Sequence, residues 1–312
     1  MNIRSVAVMA VVAVVVVASL AVALVYLNGG SSEQTAGDSE FYVIDDRGKN
    51  ITFEKAPKRI VSLGSSFTET IIALNAGNMI VGVDASGENI AGVPENASRL
   101  GKVSAMGMES LLAVDPDCVI IWNFPSYGGL ISDMENYSIP VVALYPKSVS
   151  DTLDTMARIG SIIGSDATEL VDQLQARVNA VLNVTKNIPE WSRPKVYLEL
   201  STYGMSTVGN GSLSNEIIQL AGGLNIYDKV KVNNKSNWVA SIEDVLDRQP
   251  EFIIVENSSA HTNQYFIETF AATPAVDYGN VYRIEAGTLT TSPRIVEALE
   301  CMAHWFHPDL FA

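Results

Sequence analysis

The 312-residue chain is short of cysteine, histidine and basic side chains, and each shortage closes a class of function. Two cysteines exclude a disulfide scaffold and a zinc module held by thiolates. Three histidines, His261, His304 and His307, are too scattered for a transition-metal site built from several imidazoles. Lys and Arg number 20 against 35 Asp and Glu, a net charge of −15, and no basic run interrupts the excess. Such a surface repels phosphate backbones, so nucleic acid is excluded as a partner. Gly-x-Ser-x-Gly, a Walker A loop and His-Glu-x-x-His are all missing. A Ser-His-Asp convergence has few histidines to draw on. The chain reads as a binding protein rather than an enzyme, and no resident cofactor or metal is expected.

Apolar residues are plentiful, at 47%, and the length suits about two domains at roughly 150 residues each. After a stub at residues 1–4, the uncharged run Ser5 to Leu27 covers 23 residues. As a helix it would reach about 34 Å, enough for a hydrocarbon core of about 30 Å. It reads as a transmembrane anchor or uncleaved signal. Arg4 stays on the cytoplasmic side, which places the globular body outside the cell as a single-pass membrane protein. A cleavable signal ending near Ala21-Val22-Ala23 is the alternative. No cysteine sits beside the run, which excludes a lipid anchor there. Residues 28–40, rich in Gly and Ser, read as a flexible tether. Seven Asn-x-Ser/Thr sequons, at Asn50, Asn96, Asn136, Asn183, Asn210, Asn234 and Asn257, fit an outward surface. A chain rich in these residues also produces sequons by chance.

The body alternates strand and helix signals, which predicts an α/β class with largely parallel sheets. Phe41 to Phe53 reads as a hairpin, Arg59 to Leu63 and Met79 to Val83 as strands. Between them a helix capped by Ser66 or Thr68 runs through Thr70 to Leu74 and stops near Gly77. An internal echo organises the rest. Glu109-Ser110-Leu111-Leu112-Ala113-Val114-Asp115-Pro116-Asp117-Cys118-Val119-Ile120-Ile121 recurs 134 positions later as Glu243 to Val255. Both copies read as a short helix, a terminating Pro, an acidic residue and a buried strand. Ile71 to Gly77 likewise recurs as Ile217 to Gly223. Two units in the same order imply two lobes, residues 41–150 and 189–312. Between them, residues 151–188 read as a helical segment. After Ser165-Asp166 one long amphipathic helix spans Ala167 to about Asn187, with Leu170, Leu174, Val178, Val181 and Leu182 on one face.

These residues resemble the iron-complex and cobalamin substrate-binding proteins of ABC importers. The resemblance rests on Pro57-Lys58-Arg59-Ile60-Val61-Ser62-Leu63 with Thr68-Glu69, on Glu109 to Leu112 with Pro116-Asp117, on Ala221 to Ile226, and on Ser292 to Leu299. It runs from about Phe41 to the C-terminus. It implies two α/β lobes joined by one long inter-lobe helix, the class III periplasmic-binding-protein arrangement, which would follow the N-terminal transmembrane helix read from Ser5 to Leu27. It also implies a metal chelate (corrinoid, ferric siderophore or haem) held in the cleft and passed to an ABC permease with its ATPase. A membrane-tethered receptor or scavenger with the same fold but no transporter is the alternative. Where the family carries Gly-Gly-Glu-Asn, this chain reads Gly222-Gly223-Leu224-Asn225, so any role of that Glu is absent.

A flat, partly apolar ligand needs aromatic faces and a few polar groups. In α/β sheets, ligands gather beyond the carboxyl ends of strands. Ser65, Phe67, Trp122, Tyr127 and Tyr203 follow such ends. Trp238 precedes the helix of the second echo copy, where cobalamin binders also place a Trp. His261, in a loop after a strand, is a candidate axial ligand for a bound metal. Each aromatic could equally be core packing, which is the expected role of Trp191. Arg99, Arg283 and Arg294 are the arginines near predicted loops or helix starts, so the cleft reads as more aromatic than basic. For permease docking the resemblance implies Glu69, with Glu216 as the best match in the second lobe although one residue out of register. His304 and His307 read as a structural helix terminus. Cys118 and Cys301 read as buried and unpaired.

Overall fold

The hydrophobic runs of the body are Val- and Ile-rich and unbroken by polar residues, the signature of strands covered on both faces. The computed structural model describes residues 40–200, 204–230 and 237–311, and strands such as Cys118–Trp122 and Val141–Leu144 obey that rule. The expected anchor (5–27), tether and Asn234 sequon lie outside these residues, save Glu40 at the tether's end. Among the described residues no helix is long and apolar enough to cross a membrane.

The expected hairpin is present as β1 (Phe41–Ile44) and β2 (Asn50–Phe53), with Phe41 opposite Phe53. Next come β3 (Ile60–Leu63), α1 (Ser65–Ala73), β4 (Ile80–Val83), β5 (Ser98–Arg99) and α2 (Met108–Ala113). The lobe closes with β6 (Cys118–Trp122), α3 (Gly128–Asn136) and β7 (Val141–Leu144). The five strands form one parallel sheet in the order β5-β4-β3-β6-β7. Alternate residues serve opposite faces, as a period of two requires. Ile60, Ile120 and Val142 join a cluster with Phe67 and Ile71, while Val61, Ile121 and Ala143 join one with Leu111 and Met134.

After α4 (Val149–Ile163) and α5 (Thr168–Thr185), the second lobe holds β8 (Lys195–Glu199), β9 (Ser206–Val208), α6 (Leu213–Leu220), β10 (Leu224–Asn225) and β11 (Asn237–Val239). Then follow α7 (Ile242–Arg248), β12 (Phe252–Glu256), α8 (Asn263–Thr269), α9 (Pro274–Asp277), β13 (Val281–Ile284) and α10 (Ile295–Phe306). Its parallel sheet runs β10-β8-β12-β13, and β9 pairs with β11 in a small antiparallel ribbon. Val196, Leu198 and Ile254 pack under α10, whereas Tyr197, Ile253 and Val255 pack with Phe266 and Phe270.

The bridge differs from the expected single helix. Two consecutive helices straddle both cores. On α4, Val149, Leu153 and Met156 enter the second-lobe core, and one or two turns later Ile159, Ile162 and Ile163 enter the first-lobe core. Helix α5 begins beside the first lobe at Leu170 and Val171, then buries Leu174, Val178 and Val181 in the second. The apolar stripe of residues 149–163 is as strong as that of α5, so the earlier helix shares the span. Arg177 on α5 forks onto Glu300 of α10 at 2.9 and 2.6 Å.

Three smaller expectations need correction. Ser66 and Thr68 do not cap α1; Gly64 holds the cap position, and both side chains are buried inside the helix. The hydroxyl of Thr68 donates to Ser62 Oγ at 2.8 Å instead. That helix stops at Ala73, because Asn75 takes the left-handed conformation (φ 57°) ahead of Gly77. Trp191 does not pack: it is 87% exposed on a short 3-10 turn. Cys118 is buried as expected, but Cys301 is exposed on α10, and both are free.

Candidate ligand-binding site

The carboxyl ends of parallel strands gather unpaired backbone groups and loop residues, so a site is sought there. In the first lobe, Gly64 follows β3 with φ 146°, and a Cβ at that position would overlap the indole of Trp122. Its N–H donates to the buried Asp84 Oδ1 at 3.1 Å, and Ser86 Oγ donates to the same carboxylate. The glycine and this loop let Trp122, the last residue of β6, lie across the strand ends.

Trp122 is the centre of an aromatic terrace. Phe124 stacks on it at 5.3 Å with the planes 5° apart. Tyr145 meets both rings edge-on, at 6.4 and 5.6 Å, and Tyr127 meets Phe124 at 5.4 Å. Trp122, Phe124 and Tyr127 are half-buried, and Tyr145 is 41% exposed. Phe67 lies 4.7 Å from Trp122 but is fully buried, so it supports the terrace from below rather than offering a face. Ser65 is half-buried at the start of α1, its N–H donating to Ser86 Oγ.

The second lobe carries polar chemistry at the equivalent edge. Glu199, the last residue of β8, is fully buried. Its Oε1 accepts from Ser259 Oγ at 2.7 Å and lies 3.2 Å from His261 Nδ1, while Oε2 has no hydrogen-bond partner. The hydrogen bond between Oε1 and Nδ1 fixes the orientation of the ring and turns Nε2 away from the carboxylate. Tyr265 stacks on the imidazole at 3.8 Å. A buried carboxyl that fixes imidazole tautomer and orientation is the arrangement that prepares a ring nitrogen for coordination.

The other expected residues behave differently. Trp238 pairs into β11 and packs edge-on against Tyr227 at 5.2 Å, half-buried in a second-lobe cluster. Tyr203 lies outside the described residues. All three candidate arginines are engaged within the protein. Arg99 braces residues 94–97 through their carbonyls. Arg283 holds the His261 loop through Asn263 Oδ1 at 2.7 Å and the His261 carbonyl. Arg294 pairs with Glu69, its Nε at 3.0 Å from Oε2 and its Nη2 at 2.5 Å from Oε1.

Glu216 also has an internal partner: its Oε2 accepts from the N–H of Val149 at 2.9 Å, at the first turn of α4. Burial pushes its pKa up, against the lowering effect of that hydrogen bond. The residue expected to dock on the permease thus serves a helix N-terminus, where acceptor groups are favoured. His307 is structural as expected, with Nε2 at 3.1 Å from the Gly222 carbonyl and its pKa lowered chiefly by burial. Among the described residues no group of three or more His, Cys, Asp or Glu is placed to hold a metal ion.

Sequence reasoning missed Phe124, Tyr145 and Glu199. Tyr145 obeys the same rule that selected Trp122, since it directly follows β7. Glu199 carries no such signal, because a carboxyl at a strand end is ordinarily solvated.

The comparisons agree with this architecture. The periplasmic binding protein family matches residues 60–287. The chain belongs to the periplasmic binding protein family. An uncharacterized ABC transporter substrate-binding lipoprotein of Bacillus subtilis, YvrC, is 24% identical over 279 residues, 86% of each chain. The vitamin B12-binding protein of Pectobacterium atrosepticum is 25% identical over 211 residues, covering 65% of this chain and 73% of that protein. The solved structure of the molybdate-binding protein MolA of Haemophilus influenzae superposes with a TM-score of 0.76 at 19% identity, over 87% of this chain and 92% of that one. The family is a class of solute-binding proteins, and the likeness to MolA shows the fold.

Proposed function

We propose that the protein is the extracytoplasmic substrate-binding subunit of an ABC importer. It captures a metal chelate (corrinoid, ferric siderophore or haem) between its lobes and delivers it to the permease and its ATPase. The observation that carries this reading is the terrace of Trp122, Phe124, Tyr127 and Tyr145 at the carboxyl edge of the first sheet. Four packed rings without a free arginine suit a broad ligand with an apolar face. The vitamin B12-binding relative supports the same class.

In this reading Trp122 and Tyr127 receive the macrocycle or chelate face, with Ser65, Tyr203 and Trp238 at its margins. Phe67 acts beneath Trp122. His261 offers Nε2 to the metal from the second lobe, with Glu199 as its positioning residue. Glu69 docks on the permease. Glu216, bonded to α4, carries no docking role. Residues 5–27 tether the body to the membrane.

The test is a thermal-shift and calorimetric panel on the full chain with cyanocobalamin, cobinamide, haemin and ferric hydroxamate and catecholate siderophores. A ligand that binds raises Tm with its concentration. One chelate should bind with one-to-one stoichiometry. A panel in which no member binds or shifts Tm would overturn the reading.

A further inference from the structure

A polar cavity of about 460 Å³ adjoins the aromatic terrace, between the turn of the first hairpin, the residues after β7 and the early turns of α4. Tyr145 belongs to both the terrace and the cavity, and Asn123, between Trp122 and Phe124 in the chain, lines the cavity as well. Thr155 also lines it and is only 3% exposed, yet among the described residues its hydroxyl has no hydrogen-bond partner. Thr152, three residues earlier, makes the bond usual for a threonine inside a helix, donating to the Ser148 carbonyl at 2.8 Å. A buried hydroxyl left unpaired at a cavity wall is unfavourable until a polar guest arrives. Part of the remaining lining is already engaged. Asp46 accepts from Arg158 Nη1 at 2.7 Å and from the Tyr145 N–H, and Arg158 also donates to the Ile44 carbonyl. Asp151 accepts from the Lys147 N–H at 3.1 Å. Asn123 donates through Nδ2 to the Asp46 carbonyl at 3.1 Å, which leaves its Oδ1 open. Lys147 is exposed, with Nζ 5.3 Å from the centre of the Tyr145 ring, and exposed Asp154 has no partner among the described residues. The open groups are therefore an ammonium, a hydroxyl, an amide oxygen and a carboxylate.

We propose that this cavity binds a primary carboxamide on the margin of the chelate and discriminates against a carboxylate in the same place. The proposal rests on the capture reading above and narrows its ligand to a corrinoid, whose ring margin carries amide arms. A carboxamide presents an acceptor oxygen and two N–H donors on one planar head. Lys147 and the Thr155 hydroxyl serve the oxygen, while Asn123 Oδ1 and Asp154 take the N–H groups. A carboxylate has acceptors only, so it meets Asn123 Oδ1 and Asp154 with no hydrogen to share. It also brings a negative charge to a lining that already holds three carboxylates, of Asp46, Asp151 and Asp154, against the two cations of Lys147 and Arg158. The one guanidinium in the lining is held by Asp46 and the Ile44 carbonyl, so no free fork remains to offset that charge. Haem propionates and anionic siderophores are the guests this lining disfavours. The terrace thus takes the ring face, and the cavity beside Tyr145 selects among rings by the charge of their arms.

The test compares cyanocobalamin with its peripheral monocarboxylic acids, each of which carries a carboxylate where one carboxamide stood, by calorimetric titration of the full chain near pH 7. Cyanocobalamin should bind, and the acid altered at the arm that enters the cavity should bind about tenfold more weakly. Asp154→Asn removes the charge and supplies an N–H, so it should recover most of the affinity of that acid. Thr155→Val keeps the shape of the buried side chain and should weaken cyanocobalamin about fivefold. It should not lower Tm of the ligand-free chain, because the hydroxyl it removes has no partner there, and this separates lost binding from misfolding. Equal affinities for cyanocobalamin and every acid would overturn the proposal. So would a preference that Asp154→Asn leaves untouched, or an unchanged cyanocobalamin affinity in Thr155→Val. Tighter binding of haemin than of cyanocobalamin would overturn amide selection while leaving capture of a chelate intact. Absence of binding by every chelate would remove the capture reading, and amide selection with it.

Discussion

The two lobes are built alike and equipped differently. The strand order β4-β3-β6-β7 of the first matches β10-β8-β12-β13 of the second. In each, one echo copy supplies a helix and a central strand: α2 with β6, and α7 with β12. The last residue of that strand is Trp122 in one lobe and Glu256 in the other. The strand beside it ends at Leu63 in one and is followed by Gly64, where the missing side chain admits an indole. In the other it ends at Glu199, a buried carboxyl beside an imidazole. Scaffold positions were kept while the chemistry at their ends was divided. An aromatic surface stands at the strand ends of one lobe, and a buried carboxyl beside an imidazole at those of the other.

Substitutions that should break this division can be ranked. Phe67→Ala empties a fully buried site under Trp122 and should cost about 3–5 kcal/mol of stability in chemical denaturation. Gly64→Ala places a methyl group against the indole. It should loosen chelate binding by about tenfold in calorimetry while costing less stability than Phe67→Ala. Unchanged affinity would detach the terrace from binding. Glu199→Gln should leave the terrace intact and disturb only the second lobe. With three histidines in the chain, long-range nitrogen NMR can follow His261, expected to carry its hydrogen on Nδ1 in the parent and to lose that preference in the variant. The smallest effect concerns the bridge. Burial raises the pKa of Glu216 above its ordinary 4.5, so the native state holds that proton longer than the unfolded chain does. Stability from this group is full below pH 4.5 and is lost as pH rises through the native value. Glu216→Gln keeps an oxygen for Val149 and should remove that loss, gaining Tm relative to the parent between pH 4.5 and 7. Parallel Tm curves would show that Glu216 titrates no differently when folded.

Much of this was readable from the residues. The lobes, the hairpin and the parallel sheets follow from runs such as Cys118 to Trp122 and from an echo that keeps its order over 134 positions. The place of Trp122 at the end of a parallel strand was legible from the apolar run that precedes it. The shared bridge was not, because α4 changes cores along its length at Met156 and Ile159 without any break in its apolar stripe. The partners of Glu69 and Glu216 lie 225 and 67 positions away. A pattern within one helix holds no trace of contacts at that distance, so both carboxylates read as docking groups free of internal partners. Trp191 shows the reverse error: an apolar side chain next to Pro189 carries no local sign of being left in water.

The central claim is that the first-lobe terrace receives the ligand, and intrinsic fluorescence tests it most directly. The four tryptophans occupy distinct settings: Trp122 in the terrace, Trp191 exposed, Trp238 against Tyr227, and Trp305 stacked on Tyr282. Titrating the chelate that binds into the parent and into single Trp→Phe variants separates their contributions. Most of the quenching should vanish in Trp122→Phe and persist in Trp191→Phe and Trp305→Phe. Quenching that survives intact in Trp122→Phe would contradict the account.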